Sequence, residues 1–141
     1  MKNMFVRIVS LILILAMMMP VSAFASESRA SAYLSTYAAY VYLPGDGEVR
    51  VYFNVEGTDD MDELGVLRIE IHESTDGVNW TWVETFNHYT TAGMLSYDDD
   101  YHSGYVSYDG VAGRYYKAYV CVWGGKNGAG DSRYFWTAVK H

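Results

Sequence analysis

Between Val49 and Glu56 apolar and polar side chains alternate without a break. Val49, Val51, Phe53 and Val55 fall on one side, Arg50, Tyr52, Asn54 and Glu56 on the other. A period of two turns one set toward a core and the other toward water, which predicts a half-buried strand. The same alternation returns at Leu67, Ile69 and Ile71, set against Arg68, Glu70 and His72. It is longest in residues 115–123, where Tyr116, Ala118, Val120 and Val122 form the inward set. Weaker extended runs cover residues 32–43, 79–86, 104–108 and 132–139. Turn chemistry lies between them: Pro44-Gly45-Asp46-Gly47, Ser74-Thr75-Asp76-Gly77, Gly113, and a glycine-rich turn over residues 124–131. Residues 57–65 read as an acidic loop and residues 87–103 as a long polar one. No window carries apolar residues at helical spacing over three turns. The prediction is an all-β, single-domain, seven-stranded antiparallel β-sandwich.

Tyr116 follows Gly113 by three residues and opens the penultimate strand, a placement that resembles the tyrosine corner of immunoglobulin-like sandwiches. The glycine-rich turn and aromatic last strand resemble the final hairpin of a fibronectin type III domain. The Cys-Trp-Cys framework of antibody domains is absent, so the likeness is one of architecture.

The N-terminus follows a different rule. Lys2 and Arg7 precede an apolar run, residues 8–19, that Pro20 breaks, and Ala23-Phe24-Ala25 offers small residues at a cleavage site. This is the layout of a secretory signal peptide, and the run is shorter than the roughly 20 residues that span a bilayer. Residues 1–25 are therefore expected to be removed and residues 26–141 to work outside the cell, soluble and with no membrane contact. Removing Lys2 and Arg7 with the leader leaves 8 basic against 17 acidic side chains, net −9. That balance argues against nucleic acid, whose binding depends on Lys and Arg neutralising phosphates. Cys121 is the sole cysteine, so no internal disulfide forms. A secreted domain without bridges points to a bacterial exporter.

Candidate chemistry is sparse. His72, His88, His102 and His141 show no ligand spacing, and no Ser or Cys sits in a nucleophile elbow. A non-enzymatic protein without a cofactor is expected. Ser74-Thr75-Asp76-Gly77-Val78-Asn79-Trp80 resembles the Asp-box of sialidase propellers, but its Asp and Gly are adjacent and it occurs once, so it reads as a hairpin turn. Asp59, Asp60 and Asp62 with Glu63, and Asp98, Asp99 and Asp100, form two acidic clusters that offer calcium several oxygens. Trp80, Trp82, Tyr115, Tyr119 and Trp123 form an aromatic set of another kind. Ring faces stack on the apolar face of a pyranose, and Tyr and Trp also anchor protein interfaces. The competing reading places these rings in the core.

Met61-Asp62-Glu63-Leu64-Gly65, Glu73-Ser74-Thr75-Asp76, Tyr101-His102-Ser103-Gly104-Tyr105 and Gly110-Val111-Ala112-Gly113-Arg114-Tyr115-Tyr116 together resemble an uncharacterised family of small exported proteins of Gram-positive bacteria, a domain of unknown function. The resemblance implies a secreted single domain and transfers no site residues. The functional expectation is a binding or adhesion module for a glycan or protein. The alternatives are a self-associating matrix protein and a calcium-stabilised adhesion module.

Overall fold

The computed structural model describes residues 31–141, so the leader predicted over residues 1–25 lies outside the described residues. The described chain is all-β: β1 (Leu34–Gly45), β2 (Glu48–Met61), β3 (Glu63–Ser74), β4 (Thr81–Asn87), β5 (Leu95–Ser96), β6 (Asp99–Asp109), β7 (Tyr115–Lys126) and β8 (Ala129–Trp136). Two antiparallel sheets face each other, one in the order β1-β2-β6 and the other β4-β3-β7-β8, with the short β5 added to β3. Alternation builds the interface. Val49, Val51, Phe53 and Val55 meet Ile69, Ile71, Ala118, Val120 and Val122 in one buried cluster. Burying such side chains stabilises by roughly 1.5–3 kcal/mol each, which is what commits these segments to two packed layers.

Among the described residues there are eight strands rather than seven, and three of the expected loops are partly strand. The acidic segment continues β2 to Met61, because Met61 and Leu64 on either side of Asp62 are both buried. Asp62 is the corner at which the chain leaves one sheet for the other. The segment expected as one long polar loop contains β5 and the first half of β6, with Met94 pinned in the core at 1 % exposure. The glycine-rich turn shrinks to Asn127-Gly128, whose positive φ values of 55° and 76° make the two-residue turn that suits a twisted hairpin. Asp46-Gly47 closes β1 on β2 in the same way, at 55° and 83°. Leu67 is also displaced. A bulge between Val66 and Arg68 hands its inward place to Val66.

Tyr116 locks the end of the sandwich opposite that corner. Its hydroxyl accepts the Val111 N–H at 2.7 Å and donates to Glu73 Oε2 at 2.6 Å, and Arg114 binds the other oxygen of Glu73. Burial, reinforced by the hydrogen bond to Glu73, pushes the phenol up to about 12.

Candidate functional site

On the sheet β4-β3-β7-β8 the positions between the core residues point outward, and strand register sets them in rows. Trp82 lies opposite His72, and His72 opposite Lys117. The next row runs Thr85, Glu70, Tyr119, Trp136, and the one after it Asn87, Arg68, Cys121, Tyr134. The face is strongly aromatic and open: Trp82 and Tyr134 are each 59 % exposed and Trp136 is 47 % exposed.

Lys117 is the hub. Its Nζ sits 4.4 Å from the centroid of Trp80 and 4.4 Å from that of Trp136. An ammonium over an indole face is attracted by the ring quadrupole, so both rings are held in place by one cation. Trp136 is braced further by His72, edge-on at 4.9 Å, and by Tyr119 at 4.8 Å, and Tyr119 stacks on Tyr134 at 5.8 Å. The Trp82 indole donates to Glu84 O at 3.1 Å and Thr85 Oγ1 at 2.9 Å. Hydrogen-bonding groups lie among the rings: Glu70 pairs with Arg68 and stands 3.5 Å from His72 Nε2.

Trp80 reaches this face through the Asp76 turn. Asp76 Oδ1 accepts the N–H groups of Val78 and Asn79, both at 2.8 Å, and the Ser74 hydroxyl; Oδ2 accepts Asn79 Nδ2 at 2.7 Å. These donors, the Asn79 N–H foremost, hold the Asp76 carboxyl well below the usual carboxylate range. A depressed folded-state value contributes stability that is present above the unfolded value, near 3.9, and is lost as pH falls below it. Acid titration of unfolding should therefore show a smaller loss below about pH 4 in Asp76→Asn than in the parent; equal losses would remove Asp76 as the clamp of the turn.

Trp80, Trp82 and Tyr119 of the predicted aromatic set thus share one patch, and Tyr115 and Trp123 do not. Four residues of strand separate each of them from Tyr119, roughly 13 Å. Tyr115 stacks on His141 at 3.9 Å at one end of the sheet. Trp123 lies over Gly125 and Gly130 at the other end, where any larger residue would collide with its ring, and donates to Glu63 Oε2 at 3.2 Å. Lys117, His72, Trp136 and Tyr134 complete the patch and were absent from the sequence-based set. The Asn127-Gly128 dipeptide was the available signal: a two-residue turn there places Trp136 opposite Tyr119. Cys121 is buried in the same face, and burial pushes its thiol up.

The acidic clusters meet at the β2–β3 corner, where protein donors engage them. Lys126 Nζ binds Asp59 Oδ2 at 2.6 Å and holds that carboxyl below its ordinary range, Asn127 N–H donates to Asp62 Oδ2 at 2.7 Å, and Ser96 donates to Asp99. Asp60 and Asp100 are exposed. Among the described residues no group of three or more His, Cys, Asp or Glu converges as a metal site.

The opposite sheet carries a second aromatic row. Tyr40, Tyr52 and Tyr105 lie side by side across β1, β2 and β6, with rings 5.3 and 5.1 Å apart.

No protein-family model matches the chain, and no curated protein matches it. Among solved structures it is similar to Spo0M, a sporulation control protein from Bacillus subtilis, at 10 % sequence identity and a TM-score of 0.37. The match covers 73 % of this chain and 49 % of that one, so the chain spans about half the length of that protein.

Proposed function

We propose that this is a secreted, non-enzymatic binding module whose outer β4-β3-β7-β8 face takes a glycan or protein ligand. One observation carries the reading: Trp80, Trp82, Tyr119, Tyr134 and Trp136 gather on a single flat face, three of them about half exposed or more, interleaved with Lys117, Glu70, Arg68 and His72. Indole and phenol faces offer stacking area, and the polar groups between them offer directional contacts, the combination that both sugar rings and protein hot spots use. The signal-peptide pattern in the sequence of residues 1–25 supports export.

An immunoglobulin or fibronectin type III character belongs to the same proposal. What supports it is the strand order, β1-β2-β6 against β4-β3-β7-β8 with the short β5 added to the second sheet, together with Tyr116 bonded back to the backbone five residues upstream. In such sandwiches ligands meet faces and end loops rather than deep clefts.

A glycan array and a panel of extracellular-matrix proteins, probed with the full-length protein, test the binding proposal. A ligand should be found whose affinity falls about tenfold or more in Trp136→Ala and Trp82→Ala. Absence of any ligand, or binding untouched by both variants, sinks it. The tyrosine row on the other sheet and the long edge strand β1 favour self-association as the second reading. Light scattering distinguishes the two, since a concentration-independent monomer disfavours assembly.

A further inference from the structure

Lys117 is the one feature of the aromatic face that stacking alone leaves unexplained. Arg50, Arg68, Arg114, Lys126 and Arg133 each pair with a carboxylate. Lys117, like Lys140 near the C-terminus, makes no ion pair among the described residues, in a chain with 17 acidic residues. Its ammonium rests between two indoles instead, 4.4 Å from each. Aromatic walls lower the local dielectric and hold the charge in place, so an anion arriving beside it meets a fixed cation with little water to displace.

The carboxylates on this sheet are engaged by their own neighbours, Glu84 by the Thr85 N–H. Glu70 is bound to Arg68 and His72, and Asp76 is wrapped by its own turn. Seven acids, Asp59, Asp60, Asp62, Glu63, Asp98, Asp99 and Asp100, gather at the β2–β3 corner, where Glu63 pairs with Gly125. From Lys117 to Gly125 is about 27 Å of extended strand, several times the roughly 8 Å Debye length at physiological salt. An anion at Lys117 is screened from them.

Resting on the glycan reading above, we infer that the ligand is an acidic saccharide, with a uronic-acid residue docking its ring on the exposed Trp136 and Tyr134, beside the half-buried Tyr119, and its carboxylate on Lys117 Nζ. A uronate joins the two required features in one residue: a pyranose face for the indole, and a monoanion one bond from that ring. A phosphodiester polymer supplies the charge but places it away from any stacking face, and a neutral sugar leaves the cation unused.

Calorimetric titration of the full-length protein with tetragalacturonate, with its methyl ester and with inorganic polyphosphate tests this. The acid should bind about two- to fivefold more tightly than the ester, the size of one partly exposed ion pair. Lys117→Met also loosens Trp80 and Trp136, so it should weaken both ligands and bring the acid down to the level the ester shows in the same variant. Lys117→Arg keeps the cation over the rings and should restore the preference. Retained binding of the ester shows that the variant is folded. Equal binding of acid and ester, or a preference indifferent to Lys117→Met, overturns the acidic ligand and leaves the glycan reading standing. Polyphosphate bound without tetragalacturonate overturns the uronate in favour of a phosphate polyanion. Neither saccharide bound, with a neutral glycan recovered from the array, overturns the uronate alone; no saccharide bound at all removes the glycan reading with it.

Discussion

Tyr116→Ala is expected to cost about 3–5 kcal/mol from the lost ring alone, the usual range for emptying a buried aromatic site. Domains of this size are stable by only about 5–15 kcal/mol. The true cost is larger, because the truncation also strands Glu73, 8 % exposed, and the Val111 N–H without the hydroxyl that serves both. Tyr116→Phe separates the two contributions. It keeps the ring and removes the hydroxyl, and should cost about 1–3 kcal/mol. Denaturant unfolding of both variants is the measurement. A phenylalanine variant as stable as the parent would mean that the corner is a packing site and its hydrogen bonds contribute nothing net. The phenol adds an alkaline signature. Its folded-state value lies above the unfolded one, so its contribution is complete below about pH 10 and is lost as pH rises toward about 12. Tyr116→Phe should flatten that decline.

Gly65→Ala is expected to be nearly as severe. At a φ of 145° the backbone there is one that L side chains rarely adopt, and an added Cβ would collide with the Met94 carbonyl oxygen and press on His102. That carbonyl accepts the Val66 N–H at 2.8 Å, while Gly65 pairs with Leu95 of β5. Strained backbone costs of order 1–3 kcal/mol, and the lost hydrogen bond about another 1 kcal/mol. Met94 must then leave the core as well. A total loss of 3 kcal/mol or more is expected, with amide hydrogen exchange rising first in β5 and its flanks. A variant whose melting temperature stays within a few degrees of the parent would show that the segment around Met94 is a passenger on β3.

Much of this architecture was legible along the chain, for identifiable reasons. β2 and the middle of β7 are buried on one face only, so their alternation is clean and their turns carry Asp-Gly and Asn-Gly. The misread segments break that rule. Residues 57–61 are polar on their outward positions and show only Met61, at 2 % exposure, as a core residue. In the first half of β6 the inward positions are His102 and Gly104 at the rim of the core; His102 lies 5.7 Å from the Phe53 ring and bonds Gly93 O at 2.7 Å. A polar residue facing inward erases the periodic signal that would reveal the strand. The candidate site was legible only in part for a related reason. Alternation says which residues share a face, but adjacency on it depends on register between strands. Tyr115, Tyr119 and Trp123 share a face without touching, whereas Tyr119 and Trp136, seventeen positions apart in sequence, pack at 4.8 Å.

None of the four tryptophans belongs to the buried cluster: Trp80, Trp82 and Trp136 stand on the outer face and Trp123 on its margin. The intrinsic ultraviolet emission of this protein therefore originates at its water-facing layer, and describes occupancy of that layer better than it describes the integrity of the interior. A quenching or a colour change on adding a solute is then a report from the face itself, obtained without attaching a dye.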